Sequence, residues 1–157
     1  MFGFELAEAM TGSWHSFEDP LVDRVVRIQL RLFADGLRDF ARTRTVSAEG
    51  VIHADGLAEN GGSGCTVTGE IHWRLLDENR VPYALEFQGD DGRTYRLRGQ
   101  RDFFVHNAIG SLTTMTASLY DDGNVEIGRA VVDFEPKMEL SALLKSFRPK
   151  LFPKRKR

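Results

Sequence analysis

One cysteine, Cys65, stands among 157 residues. That excludes an intrachain disulfide and gives no sign of an oxidising compartment. No apolar run approaches the ~18–20 residues that a membrane-spanning helix requires. The opening, MFGFELAEAMTG, has acidic residues where a secretion signal needs basic ones, and it has no continuous apolar centre. A cytoplasmic location is therefore the expectation. Neither G-x-G-x-x-G nor G-x-x-x-x-G-K-[ST] occurs, so both nucleotide-phosphate cradles are missing. The glycine cluster Gly61-Gly62-Ser63-Gly64 matches neither pattern and lacks a following helix whose N-terminus would hold a phosphate. There is no G-x-S-x-G elbow for a hydrolase nucleophile. There is also no H-E-x-x-H, and a single cysteine offers no zinc spacing. No cofactor and no metal are expected.

What is present is ordinary for one globular domain: 41% hydrophobic and 28% charged residues, which argues against global disorder. Phe occurs 11 times against 2 Trp and 3 Tyr, so Phe rings are expected to fill much of the core. The charge is unevenly placed. Seven basic residues and no acidic one lie between Lys145 and Arg157, leaving 14 basic against 23 acidic residues elsewhere. Residues 1–148 read as a single domain and 149–157 as a basic C-terminal tail. The tail mixes Leu and Phe with Lys150, Lys154, Arg155, Lys156 and Arg157, a composition suited to weak contact with an anionic membrane surface. The basic residues form a tail and not an aromatic-interleaved face, so nucleic acid is not an expected partner.

Period-two alternation decides the fold class. In RVVRIQLRLF from Arg24, Val26, Ile28, Leu30 and Leu32 share one face. From Cys65, the residues Val67, Gly69, Ile71 and Trp73 do the same, followed by Tyr83, Leu85 and Phe87. Gly89-Asp90-Asp91-Gly92 and Asp121-Asp122-Gly123-Asn124 read as hairpin turns. With strands near Glu5–Ser16 and Thr45–His53, the count reaches about eight. Asp35–Arg42 reads as a helical turn or bend, and Asp55–Gly64 as a flexible glycine-rich loop. Leu140, Leu143, Leu144 and Phe147 recur at helical spacing and predict a short amphipathic C-terminal helix. The expected fold is all-β: an antiparallel up-and-down barrel of about eight strands, closed to remove its edges. Gly50, Gly69 and Gly99 on inner phases suit tight coiling.

Candidate site residues follow from the phases. Trp73, Tyr95, Phe103 and Thr114 are expected to line a cavity inside the barrel or at its mouth. Thr114, Thr116 and Ser118 share a face with Leu112 and are read as inward. Arg101 shares a phase with Leu97 and Phe103. Either a bulge shifts the register there, or an arginine enters the barrel and needs a partner; the plainer expectation is a strand-end arginine pointing to water. His15 and His72 each lie beside a Trp, Trp14 and Trp73, and are the histidine pair to inspect for ligand contact. Acid–base catalysis would need His15, His72, Glu70 or Asp102 to converge in one cleft.

Two resemblances rest on short motifs. Gly12-Ser13-Trp14 in the first strand resembles the opening of lipocalins, whose Trp closes one barrel end under an Arg from a late strand. That likeness implies a lipocalin-like barrel with Arg129 over Trp14. Four segments, Glu8–Gly12 (EAMTG), Val81–Phe87 (VPYALEF), Gly92–Asp102 (GRTYRLRGQRD) and Ser111–Thr116 (SLTTMT), occur in order. Together they resemble the β-rich accessory region beside glucose–methanol–choline oxidoreductase domains of cholesterol-oxidase-like bacterial proteins. These residues hold no flavin domain, so the resemblance carries over no oxidase activity and no catalytic residue. It implies an accessory module that holds a small apolar or sterol-like molecule or docks onto an enzyme. The alternative is a structural or interaction domain, as a homodimer or the partner of a separate oxidoreductase.

Overall fold

A computed structural model describes residues 4–34, 36–72, 80–102 and 114–134. Eight strands follow one another: β1 (Phe4–Ser16), β2 (Arg24–Ala34), β3 (Thr45–Ala54), β4 (Cys65–His72), β5 (Arg80–Gln88), β6 (Thr94–Asp102), β7 (Thr114–Tyr120) and β8 (Glu126–Phe134). Each pairs antiparallel with its neighbours in sequence, and β8 returns to pair with β1, closing the barrel. The only described helices are α1 (Leu37–Thr43) and a short 3-10 turn at Asn60–Gly62. None is long and apolar enough to cross a membrane.

The alternation explains the inside and the outside. In β2, Val26, Ile28, Leu30 and Leu32 are buried while the residues between them are exposed. The first eleven residues of β1 pair with β2, from Phe4↔Ala34 to Trp14↔Arg24. Only its later part, Met10↔Phe134 to Ser16↔Gly128, pairs with β8. This stagger is the shear that a tilted, closed sheet must have. Inner glycines let neighbouring backbones approach: a Cβ on Gly50 would lie 1.8 Å from the Gln29 carbonyl oxygen, and one on Gly12 1.9 Å from that of Val131. The strands therefore coil closely where side chains are missing.

The core differs from the expected Phe-filled one. Among the described residues it is mainly aliphatic, with Phe87 and Phe134 the buried phenylalanines, while Phe17 lies on the surface. Ile28, Leu32, Val67 and Ile71, on the inner phases of β2 and β4, are wholly buried, so side chains pack the barrel interior. The C-terminal helix, Trp73, Phe103 and the tail residues Lys150, Lys154, Arg155, Lys156 and Arg157 lie outside the described residues.

An up-and-down barrel has two unlike ends. Three tight connections, β1–β2, β5–β6 and β7–β8, meet the β3–β4 loop at one end. Trp14 plugs that end, its Nε1 donating to the Asp55 carbonyl at 3.1 Å. The cation over it is Arg24, 6.0 Å from the ring, and not Arg129. Arg129 has the outward phase of β8, bonds Glu126 at 3.0 Å and lies over Phe17. The glycine-rich loop is pinned rather than loose, because the Asp90 carboxylate accepts from the backbone of Glu59 and Asn60 at 2.7–3.0 Å. Those amides, Asn60 first, hold the Asp90 carboxyl below its usual range.

Candidate functional site: a buried charge cluster

The other end of the barrel carries α1, and its interior is not apolar. Glu8 lies on the inward phase of β1 between Leu6 and Met10, with 4% of its surface exposed. Arg101, on the inward phase of β6, is 5% exposed. It enters the barrel and finds a partner, which overturns the expectation of a strand-end arginine in water. Arg101 Nη1 lies 3.4 Å from Glu8 Oε2. Tyr83 in β5 joins the two: its hydroxyl donates to Glu8 at 2.8 Å and accepts from Arg101 at 3.2 Å. The Arg101 guanidinium stacks on the Phe134 ring at 3.7 Å, and Tyr83 leans on the same ring at 5.9 Å.

Each element contributes through its phase. Register sets Arg101 opposite Val81 and Tyr83 opposite Gly99, so Tyr83 and Arg101 occupy adjacent inner layers. Gly99 leaves no side chain between them. Register on the other side brings Phe134 beside Met10, next but one to Glu8. The result is a near-neutral polar floor inside an apolar wall. Ionised groups in such surroundings are costly unless paired and hydrogen-bonded, and here Glu8, the Tyr83 hydroxyl and Arg101 Nη1 bond one another. A guanidinium desolvated over a ring gains about 2 kcal/mol.

The other expected site residues do not gather here. Tyr95 is buried at the Trp14 end, stacked on Phe87 at 5.8 Å and bonded to Asp91 at 2.7 Å. Burial and that bond push its phenol up to about 12. Thr114 starts β7 at the other end and faces outward, bonding Asp133 at 2.9 Å. The inner residues of β7 are Met115, Ala117 and Leu119, so the face read as inward is the outer one. A cavity lined by Tyr95 and Thr114 together is thereby excluded. His15 and His72 occupy outward phases at opposite ends of the barrel. His15 lies 6.2 Å from the Phe17 ring and His72 bonds Thr45 at 3.1 Å. Glu70 is exposed on the outer face of β4. The proposed acid–base convergence therefore fails for His15 and His72, and among the described residues no metal-binding cluster forms.

Among the described residues, two depressions on the outside of the barrel open to solvent. One, of about 660 Å³, runs over Ala7, Ala9 and Gly50 beside Arg31 and Glu49. The other, of about 470 Å³, lies over Gly99 between Pro82 and Arg98. Both owe their hollow to small residues.

Glu8 and Tyr83 were the site residues missed. For Glu8 the signal was present, since an acid shared the phase of Leu6 and Met10. These features define a closed, eight-stranded antiparallel barrel with one plugged end and a buried charge cluster near the other. Compared with family models, curated proteins and solved structures, the chain matches none.

Proposed function

We propose that this barrel is a non-catalytic binding module, taking a small, mostly apolar molecule at the end that carries Glu8, Tyr83 and Arg101. The observation that carries this reading is the polar cluster itself. A charge pair and a phenol inside an apolar barrel cost stability compared with well-packed aliphatic residues. Such groups are worth keeping where they orient the polar part of a ligand. The Trp14 plug closes the opposite end, which supports a site on the Glu8 side in this reading. The resemblance to an accessory region beside an oxidoreductase favours a module that serves an enzyme, and a lipocalin-like role fits the same architecture.

The test is native mass spectrometry of the protein purified from its own host. A non-covalent adduct is expected, lost or weakened in Tyr83→Phe, which removes one hydroxyl and keeps the ring. An adduct-free mass, with no thermal shift from a panel of apolar compounds bearing one polar head, would overturn the reading.

A further inference from the structure

The opposite end of the molecule carries a feature that ligand binding does not use. The exposed large apolar side chains among the described residues are Phe17, Leu21, Val22, Val25, Val125 and Val131. All six lie at or near the Trp14 end, in the β1–β2 and β7–β8 turns or on the adjoining strands. Register places Val25 opposite Ser13 and Ser13 opposite Val131, so the two valines flank one small residue across β2, β1 and β8 on the outer face. Phe17 joins the same region, its amide bonded to the Ile127 carbonyl at 2.9 Å. Leu21 projects from the β1–β2 turn with 96% of its surface exposed. Scattered exposed apolar residues need no explanation, but a cluster confined to one face does.

Charges of both signs surround the cluster. The protruding turn carries Glu18, Asp19 and Asp23, all exposed. The sheet face beside it carries exposed Arg27 and Arg129, the latter bonded to Glu126, with Asp133 further along β8. A surface with an acidic turn beside a face that presents arginines can complement itself under a two-fold rotation. A partner of uniform charge would be repelled by one half of it.

From this we infer that the face is the interface of a homodimer, in which Leu21 and Val22 of each copy pack on the Val25–Val131 row of the other. Glu18, Asp19 and Asp23 then face the partner's Arg27 and Arg129. The inference goes beyond the binding reading and is independent of it, since it uses the other end of the barrel.

Sedimentation equilibrium of the full chain over a wide concentration range is expected to give a reversible dimer. Leu21→Asp combined with Val131→Asp is expected to weaken it at least about thirtyfold. Both sites are surface positions, so an unchanged circular dichroism melt checks that the fold survives. The sharper experiment reverses charges in two separate chains. Arg27→Glu with Arg129→Glu makes one chain acidic at the interface, and Glu18→Lys, Asp19→Lys and Asp23→Lys make the other mainly basic. Each is expected to be monomeric alone, and native mass spectrometry of the mixture is expected to show the heterodimer. A wild-type chain that stays monomeric at every concentration overturns the inference, as does a dimer indifferent to these substitutions.

Discussion

Glu8 and Arg101 form an ion pair between residues 93 positions apart, with side-chain exposures of 1% and 6%. Removing one member leaves the other charged and buried, which costs about 3–5 kcal/mol. Arg101→Met and Glu8→Leu are therefore each expected to lower the urea midpoint sharply. The double variant is expected to be more stable than the sum of the two losses predicts, because it removes both charges together. A strictly additive cycle would show that the pair is not coupled. At this scale the sequence was half legible. The phase of Arg101 pointed inward, yet nothing local distinguished entry from a bulge. The deciding fact was the acid across the barrel, contributed by another strand.

At the scale of elements, the loop between β3 and β4 depends on one side chain. Asp90, in the β5–β6 turn, holds Glu59 and Asn60 by their amides and accepts at long range from Cys65. Its folded pKa lies below the ordinary value of 3.8. The anchoring is thus fully present above that value and is lost as pH falls through the lowered one. Hydrogen exchange at Glu59 and Asn60 is expected to accelerate in Asp90→Ala, with strand amides unchanged. In the wild type the same acceleration is expected only in acid, below about pH 4. Protection that survives the substitution would show that the loop holds itself. The composition of Asp55–Gly64 read as flexibility because glycine permits it. The restraint comes from a turn about thirty residues away, at Asp90.

At the scale of the molecule, the described residues form a barrel whose closing seam joins its first described strand to its last. Every strand pairing except that seam is between sequence neighbours. Closure must wait until both termini of the barrel are in place, a large loop-entropy cost. Refolding followed by Trp fluorescence is expected in milliseconds to seconds, as for other sheet-dominated domains. A microsecond phase carrying the full amplitude would mean that the seam is not rate-limiting.

The sequence by itself determined the strands, their turns and, for most of them, the buried face, because alternation is a local property of each segment. It also placed a Trp at one end of the first strand. For β7 the alternation itself favours Met115, Ala117 and Leu119 inward, and the opposite expectation followed the phase of Leu112 alone. Only the tertiary structure decided which strands' side chains meet. It likewise decided that Arg24 and not Arg129 covers Trp14, that Glu8 meets Arg101, and that six surface apolar residues share one end. Each of these depends on register between strands, which is set by closure of the barrel and has no signature within any one segment.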